Sequence, residues 1–439
     1  MEKVTVVGGG LAGSEAAYRL ARSGISVRLV EAKPLFYTPA HSSAALGELV
    51  CSNSLKSDDV YGNACGLLKE EMRRLGSLTM EAAAHCRVPA GGALAVEREK
   101  FAAYITEKIT AEPRIERVAA EVCTLPDEGE GITVIATGPL TLDALSADIV
   151  RRYGRGLHFY DASAPVVAAE SVDFSHTFTG DRYGKGTGDY VNCPLNKEEY
   201  DAFVSALLAA EKVTLHDFEK REIFEGCMPV EIMASRGHDT LRFGTFKPVG
   251  LYDENGKRPY AVLQLRKENA AGTAYNLVGC QTNLKFGEQK RVFSLVPALK
   301  NAEFLRYGVM HRNTYLQSPE ILLPDFSCKT QENLYFAGQI TGVEGYVESA
   351  MSGLLAGIHI AQRIKGGEKI VFPPETVCGA LSAYISSPNP DFQPMNANYG
   401  ILPPLADYAG KDKKEKRRRF AERSLAAIEK IARILPSLV

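Results

Sequence analysis

Lys3-Val-Thr-Val-Val-Gly-Gly-Gly-Leu-Ala-Gly13 is the stretch that decides the fold of this 439-residue chain. Its apolar β-branched run through Val7 is typical of a parallel strand buried on both faces. The glycines that follow open a helix, predicted to run to about Ser23 because apolar residues recur at helical spacing and Gly24 ends the pattern. A second apolar run at 25–31 predicts another strand. Together these segments predict a β-α-β unit.

The glycine loop of this unit has the features of a dinucleotide-binding site. Gly8 allows a tight turn, Gly10 lets the backbone approach a pyrophosphate, and Gly13 permits close packing of helix on strand. The helix N-terminus can donate to phosphate, and Glu31 can accept hydrogen bonds from a ribose diol. The alternative is a glycine-rich turn without a ligand. The predicted cofactor-binding residues of this segment are Gly8, Gly9, Gly10, Leu11, Ala12, Gly13 and Glu31.

Two later segments favour FAD over NAD as the dinucleotide. Residues 130–138 predict a strand that ends in an Ala-Thr-Gly turn, and residues 333–345 predict a strand that runs into a glycine-rich loop before a helix. A helix N-terminus in that position can stabilise negative charge near the pyrimidine ring of a flavin. The alternative for the second segment is an ordinary strand-loop-helix crossover. The predicted FAD contacts are Thr137, Gly138, Gly338, Gln339, Gly342, Gly345 and Tyr346.

The predicted fold is α/β, with an FAD-binding Rossmann-like domain of the two-dinucleotide-domain flavoprotein type. Because its motifs stand at both ends of the chain, we expect this domain to be discontinuous and to comprise residues 1–165 and 325–439. Residues 166–324 mix strand and helix patterns with turn signals such as Glu254-Asn-Gly256. They predict an inserted α+β domain that binds the substrate.

Composition limits the partners and the compartment. The formal net charge of −2 gives no indication that the chain binds nucleic acid or a membrane. If the chain binds a polyanion, the positive charge has to be concentrated in a local patch of the surface. No apolar stretch of about twenty residues is present, and the first strand begins too early for a signal peptide, so we expect a soluble cytoplasmic protein. An odd number of cysteines without a C-x-x-C pair argues against a disulfide framework and a metal site.

Two cysteines stand in segments that suggest chemistry. Cys51 lies in Glu48-Leu-Val-Cys-Ser-Asn-Ser-Leu55, and Cys227 lies in Phe224-Glu-Gly-Cys-Met-Pro229. A flavin moves electrons without a cysteine, so thiols beside one suggest a covalent step that the cofactor cannot perform. The alternatives are a small apolar residue in a turn for Cys227 and simple packing against the flavin for Cys51. We expect the other cysteines to be small buried residues.

Several long motifs resemble one family, the folate- and FAD-dependent tRNA uracil-5-methyltransferases called TrmFO, whose fold is GidA-like. The similarity runs from the first strand to about Leu405. Its motifs are unlike those of generic flavoproteins. They occupy residues 49–55, 68–75, 88–96, 224–231, 247–251, 307–314, 342–349 and 393–398.

The resemblance implies methylation of the T-loop uridine of tRNA, position 54 in tRNA numbering. It implies 5,10-methylenetetrahydrofolate as carbon donor, FADH2 as hydride source and NAD(P)H as the reductant of the flavin. It further implies that Cys227 is the nucleophile that adds to uracil C6 and that Cys51 is the base that removes the C5 proton. The expected partners are therefore tRNA and folate, with no obligate protein partner.

The sequence is also compatible with other functions. The same chemistry on a ribosomal RNA uridine and a GidA-like modification of the tRNA wobble uridine are the enzyme alternatives. A non-catalytic RNA-binding flavoprotein or tRNA chaperone is another. A pyridine-nucleotide oxidoreductase of small molecules predicts a second G-x-G-x-x-G motif in the middle of the chain, and the sequence has none there.

Two basic segments are candidates for RNA contacts. The run from Lys411 to Phe420 concentrates positive charge in a slightly acidic chain. Such runs are often solvated helix faces, but phosphate contacts are an equal explanation for an RNA-modifying protein. The second segment contains three further residues that are equal candidates for RNA contacts: Lys285, Lys290 and Arg291.

Overall fold

A computed structural model describes residues 3–38, 40–154, 157–184, 186–213, 228–367, 370–406, 408 and 410–435. Its strands, in chain order, are β1 Val4–Val7, β2 Val27–Glu31, β3 Ser54–Ser57, β4 Arg87–Val88, β5 Ala93–Val96, β6 Ile115–Ala119, β7 Thr133–Ile135, β8 Leu157–Ala162, β9 Val166–Ala168, β10 Phe178–Thr179, β11 Tyr190–Leu195, β12 Ala261–Lys267, β13 Ala274–Leu277, β14 Phe304–Arg306, β15 Met310–Tyr315 and β16 Leu334–Phe336. Its helices are α1 Leu11–Arg22, α2 Ala64–Arg74, α3 Leu78–His85, α4 Arg98–Ala111, α5 Asp143–Tyr153, α6 Lys197–Ala209, α7 Val230–Ser235, α8 Thr240–Phe243, α9 Phe286–Phe293, α10 Ser318–Ile321, α11 Tyr346–Lys365, α12 Val377–Ser386 and α13 Lys413–Ile434.

The first sheet is parallel and has the strand order β16-β7-β1-β2-β6. Val4 and Val6 of β1 are fully buried at its centre, which explains why that strand consists of β-branched apolar residues. The predicted β-α-β unit is confirmed, since β1 and β2 are parallel neighbours joined through α1. The sheet takes β16 from the C-terminal part of the chain and pairs it with β7. The predicted α/β fold is therefore confirmed.

A second, six-stranded sheet has the order β10-β11-β12-β13-β9-β14 and is antiparallel throughout. It has its own apolar core, which runs from Val167 to Ala302 and includes residues of α6 and α9. The core around the parallel sheet instead draws on residues 4–149 and 315–431. The domain limits predicted from the sequence stay a prediction.

Smaller elements connect the two sheets. Strands β8 and β15, which lead into and out of the second sheet along the chain, pair with each other in antiparallel register. Strands β3, β5 and β4 form a separate antiparallel sheet directly after the Cys51 segment. These short elements therefore bring the Cys51 segment to the border between the parallel and antiparallel sheets.

Helices α1 and α11 pack closely against each other because glycines remove the side chains between them. A Cβ on Gly353 of α11 would overlap the carbonyl oxygen of Ala12, and one on Gly357 would lie 3.1 Å from the carbonyl oxygen of Ala16. The close packing places the N-terminus of α11 beside the glycine loop that opens α1. Two motifs that are far apart in the sequence thus meet at one edge of the sheet.

Membrane-spanning helices, potential metal ligands and cysteine burial are described for the same residues. No described helix is long and apolar enough to cross a membrane, and the described residues contain no cluster of potential metal ligands. Cys65, Cys86, Cys193, Cys280, Cys328 and Cys378 are buried as expected. Cys123 is exposed and lies in an irregular segment after β6, so the expectation is wrong at that position.

Candidate cofactor cleft and the Cys51 segment

A cleft opens at the carboxyl ends of β1, β2 and β7, and the space not filled by protein atoms is about 1190 Å³ when the solvent at its mouth is included. This is the edge at which parallel α/β sheets bind their ligands. Most of the predicted cofactor residues line it, whereas Gly9, Gly13, Gly342 and Gly345 do not. The lining residues that the sequence predicted are Gly8, Gly10, Leu11, Ala12, Glu31, Thr137, Gly138, Gly338, Gln339 and Tyr346.

The glycines of the first loop have three different roles. Gly8 has a φ of +100°, and a Cβ there would lie 2.5 Å from the carbonyl oxygen of Ala136. A Cβ on Gly13 would overlap the carbonyl oxygen of Gly8, so this glycine allows the helix to pack on the loop. Gly10 instead lines the cleft, and a Cβ there would meet no protein atom within 4 Å. Of these three glycines, Gly10 is thus the one that leaves space for a ligand in the cleft.

Glu31 organises the loop from the end of β2. Its Oε2 accepts a hydrogen bond from the Gly9 amide at 2.5 Å, and its Oε1 accepts one from the Lys33 amide at 3.0 Å. Each carboxylate oxygen has a second lone pair, so the side chain can still accept hydrogen bonds from a ribose diol in the cleft. The acidic residue therefore shapes the glycine loop as well as lining the site.

The C-terminal glycine-rich loop reaches the cleft at Gly338 and Gln339. The Gly338 amide donates to Oγ of Ser352 at 2.6 Å, which fixes the loop to α11. Gly342 packs on Phe392, where a Cβ would lie 2.5 Å from the ring. Gly345 has a φ of +121° and starts α11. These last two glycines shape the loop and do not line the cleft.

The cleft fits a dinucleotide such as FAD. Both α1 and α11 begin at a glycine with no side-chain cap on the helix amides. Uncapped N-terminal amides provide donors and a positive dipole end for phosphate or for a negatively charged ring. Gly138 lines the cleft, and like Gly10 it leaves its Cβ position open. Space and hydrogen-bond donors are thus both present.

Tyr346 joins the cleft to the Cys51 segment. Its hydroxyl oxygen accepts hydrogen bonds from the backbone amides of Cys51 at 2.6 Å and Ser52 at 3.2 Å, while the side chain lines the cleft. Desolvation raises the pKa of the Tyr346 hydroxyl, so it stays protonated at neutral pH. The Cys51 thiol, which is half-buried, has its Sγ 3.8 Å from the carbonyl oxygen of Ala162 on β8. The thiol therefore lies next to the cleft.

Three arginines hold the same segment from the other side. Arg98 donates from Nη1 to the Leu49 carbonyl at 3.2 Å, and Arg306 donates from Nη1 to the Val50 carbonyl at 3.4 Å. Arg266 of β12 binds the two residues after the cysteine, with Nε 2.9 Å from Oδ1 of Asn53 and Nη2 2.9 Å from Oγ of Ser52. No sequence pattern predicts these three arginines as neighbours of Cys51, because they are far from it in the chain and match no local motif.

Cys227 lies outside the described residues. The segment that follows it is anchored to the second core by Glu231 of α7, whose carboxylate accepts hydrogen bonds from Oγ1 of Thr282 at 2.9 Å and the Asn283 amide at 2.8 Å. Burial raises the pKa of the Glu231 carboxyl, although these hydrogen bonds oppose the shift. The structure thus places the start of α7 but not the predicted nucleophile.

The two basic segments differ in how their charges are used. Lys285 pairs with Glu211 at 2.6 Å, and Arg291 pairs with Glu288 at 2.5 Å. On α13, Arg418 and Arg419 bind carboxylates of the same helix. Among the described residues, no ion pair involves the lysines at 290, 411, 413, 414 and 416. The start of α13 therefore carries more uncompensated charge than α9.

Comparison with known proteins gives consistent results. The family profile described as glucose inhibited division protein A (GIDA) matches residues 3–368. The chain is 56% identical over 427 residues to a protein of Moorella thermoacetica, with 97% of each chain covered. It is 57% identical over 430 residues to one of Geobacter sulfurreducens, covering 97% of this chain and 98% of the relative. Both relatives are named methylenetetrahydrofolate–tRNA-(uracil-5-)-methyltransferase TrmFO.

Among solved structures, Aquifex aeolicus GidA in its form II crystal is similar with a TM-score of 0.71 at 17% identity, covering all of this chain and 74% of that one. At that identity the similarity shows the fold. The parallel sheet, the cleft and the family profile define a flavoprotein of the GidA type. Within that class, the chain belongs to the TrmFO family, which confirms the resemblance found in the sequence.

Proposed function

We propose that the chain methylates C5 of uridine 54 in the tRNA T-loop, with methylenetetrahydrofolate as carbon donor and FADH2 as reductant. The names of the relatives support a folate-dependent tRNA uracil-5-methyltransferase. The observation that carries the proposal is the pair of hydrogen bonds from Cys51 and Ser52 to Tyr346, which fix a thiol beside the cofactor cleft. NAD(P)H is the proposed source of electrons for the flavin.

The chemistry requires two protein groups. Uracil C5 is a poor nucleophile until a thiolate adds to C6, which produces an enolate that attacks the methylene carbon of the folate. We assign the addition to Cys227 and removal of the C5 proton to Cys51. Elimination then releases tetrahydrofolate and leaves an exocyclic methylene on the base. FADH2, when bound, would supply the hydride that reduces this methylene to methyl. The C6–S bond then breaks, which restores the C5–C6 double bond of the base and returns Cys227 as a thiolate.

This chain holds its cofactor through the residues of the cleft. The amides at the start of α1 and Glu31 are suited to the pyrophosphate and ribose of FAD, and Thr137, Gly138, Gly338 and Gln339 line the rest of the cleft. Residues 166–324 form the proposed RNA-binding insertion. Because Cys51 belongs to the segment before β3 and Cys227 to the insertion, both parts of the chain have to contribute to one active site.

Mass spectrometry of RNA tests the reaction and its target together. Unmodified tRNA incubated with the FAD-loaded enzyme, methylenetetrahydrofolate and NAD(P)H should gain 5-methyluridine at position 54. Methylation of a ribosomal RNA fragment instead would favour the rRNA alternative, and modification of the wobble uridine would favour the GidA-like one. RNA binding without any modification would leave a non-catalytic flavoprotein or chaperone.

A separate experiment assigns the thiols. RNA that contains 5-fluorouridine should form a covalent adduct with the wild type and with Cys51→Ala, and no adduct with Cys227→Ala. Cys123→Ala is the control, because that cysteine is exposed and stands outside both motifs. An adduct in the Cys227 variant would require a different nucleophile.

A further inference from the structure

The arginines around Cys51, of which Arg266 is buried and Arg98 and Arg306 are partly buried, carry more positive charge than the described carboxylates neutralise. Arg98 forms a two-point ion pair with Glu268, with Nε 2.7 Å from Oε2 and Nη2 2.9 Å from Oε1. Arg266 binds only neutral side chains, and Arg306 binds only a carbonyl among the described residues. One carboxylate therefore faces three guanidinium groups. Buried charge without a partner is costly, so such a cluster indicates a place for an anion.

Arg306 is the member of the cluster with free donors. Its Nη1 donates to the carbonyl of Val50, the residue before Cys51, at 3.4 Å. Its Nε and Nη2 are buried and have no hydrogen-bond partner in the described part of the chain. A guanidinium normally uses donors that are buried, because a buried donor without an acceptor loses its hydrogen bonds to water and gains none in return. Two unused donors beside a functional thiol therefore need an explanation other than stability.

The charged groups around this guanidinium identify its neighbours. Burial lowers the pKa of Arg306 most, Arg98 lowers it further, and Glu268, Tyr346 and Cys51 raise it. Cys51 in turn raises the pKa of Tyr346, while Arg98 lowers it. The described groups that act on one another here are thus Arg98, Arg306, Glu268, Tyr346 and Cys51. Glu268 is the one carboxyl group among them, and Arg98 already binds both of its oxygens.

We propose that Arg306 is a positioning residue that keeps the Cys51 thiol in its anionic form, ready to accept the C5 proton of the substrate. The guanidinium supplies the charge, and its hydrogen bond to the Val50 carbonyl keeps it next to the cysteine. A thiolate is the form that can take up a proton, and a neighbouring cation favours it over the neutral thiol. When Cys51 becomes protonated, the positive charge of Arg306 opposes retention of the proton, which favours return to the thiolate for the next cycle.

This inference rests on the proposed role of Cys51 as base, yet its test needs neither tRNA nor folate. Alkylation of Cys51 by iodoacetamide is followed peptide by peptide in the FAD-loaded enzyme as a function of pH, because only the thiolate reacts. In the wild type the midpoint should lie below about 8.5, the value of an ordinary thiol. Arg306→Gln should raise the midpoint by about one pH unit and slow alkylation at neutral pH roughly tenfold. Arg306→Lys, which keeps the charge, should restore most of the reactivity.

Two further variants separate this role from a structural one. Arg182→Gln is the matched control, because Arg182 also donates to a single carbonyl, that of Thr245 at 3.2 Å, and also has an unpaired buried Nε in the described structure. It should leave the Cys51 midpoint unchanged. Glu268→Gln should lower the midpoint, since it removes the one carboxylate of the cluster, and it tests the idea if the Arg306 variants do not fold.

A wild-type midpoint in Arg306→Gln, with bound flavin and thermal stability retained, would overturn the proposal. An unchanged or raised midpoint in Glu268→Gln would do the same. If the midpoints shift as expected while no 5-methyluridine forms, the effect of Arg306 on the Cys51 thiol is supported and the proposed methylation reaction is contradicted. If methylation occurs but the midpoints do not move, the reaction stands and the role of Arg306 fails.

Discussion

Nε of Arg266 donates a hydrogen bond to Oδ1 of Asn53 at 2.9 Å, and this contact joins the antiparallel sheet to the segment that carries Cys51. Asn53 is fully buried and also donates from Nδ2 to the Lys267 carbonyl at 2.9 Å. One side chain thus bonds to two consecutive residues at the end of β12. The position of the Cys51 thiol therefore depends on a sheet that lies more than two hundred residues later in the chain.

Asn53→Ala should destabilise the fold by about 2–4 kcal/mol, because the buried Arg266 guanidinium loses one of its two acceptors and keeps only Ser52. The Cys51 segment should also loosen, so methylation should fall by more than flavin content does. Chemical denaturation and the tRNA assay measure the two effects. Asn269→Ala is the control: that partly exposed asparagine bonds within its own turn, to Thr273, and its loss should cost under about 1 kcal/mol. If the two variants had equal effects, the proposed role of Asn53 in connecting the antiparallel sheet to the Cys51 segment would be contradicted.

Tyr346→Phe should remove the acceptor of two backbone amides and leave both unpaired. We expect a loss of about 1–3 kcal/mol of stability and a weaker methylation activity, since the Cys51 segment is no longer fixed to the cleft. Thermal unfolding and initial rates measure these losses. Tyr384→Phe is the matched control for the loss of a tyrosine hydroxyl, because the Tyr384 hydroxyl donates to the Gln393 carbonyl at 2.8 Å. Full activity in Tyr346→Phe would show that the hydroxyl is dispensable.

Gly10→Ala and Gly13→Ala should separate cofactor binding from folding. Gly10 has a φ of −70° and an open Cβ position, so alanine is compatible with the backbone and fills only space in the cleft. We expect this variant to fold and to purify with little flavin, measured by its visible absorbance. Gly13→Ala should fail to fold, because its Cβ would overlap the Gly8 carbonyl. Normal flavin content in Gly10→Ala would place the pyrophosphate elsewhere.

Glu231→Gln should change the pH dependence of stability. Because burial raises the pKa of the Glu231 carboxyl in the folded state, its contribution is fully present below its ordinary value of 4.5 and is lost as pH rises through the raised value. Glutamine can still accept from the Asn283 amide and donate to Thr282, so the variant should match or exceed wild-type stability at neutral pH. Unfolding temperatures across this pH range measure the difference. If the stability of the wild type increased relative to that of the variant as pH rises, the raised pKa of Glu231 would be contradicted.

Replacement of Lys413, Lys414 and Lys416 by alanine should weaken tRNA binding uniformly across sequences. Each phosphate contact that is lost lowers the slope of log affinity against log salt by about 0.7–0.9, so the triple variant should lose roughly two units of slope. Lys285→Ala is the control, since Glu211 already neutralises that lysine. Titrations at several salt concentrations distinguish the two. An unchanged slope in the triple variant would leave the start of α13 as a solvated helix face.

The sequence by itself determined the parallel sheet and the cofactor cleft. The glycine loop, Glu31 and the two later strand-loop segments are local patterns, and each is decided by backbone geometry within a few residues. That is why the strands β1, β2, β7 and β16 form where the patterns predict them. Most of the predicted cofactor residues line one cleft, and their contacts with FAD stay a prediction. The roles of Gly342 and Gly345 differ, because a motif does not tell which glycine faces ligand and which packs on protein.

Only the tertiary structure decided what surrounds Cys51. The cysteine stands in a recognisable motif, but Tyr346, Arg98, Arg266 and Arg306 reach it from segments with no fixed spacing to it. Their effect depends on burial and on the balance of nearby charges, and both arise when distant strands and helices pack together. Local periodicity fixes backbone shape, whereas the electrostatic environment of a thiol is a property of the folded molecule. The sequence therefore predicted the thiol, and the fold supplied the charges around it.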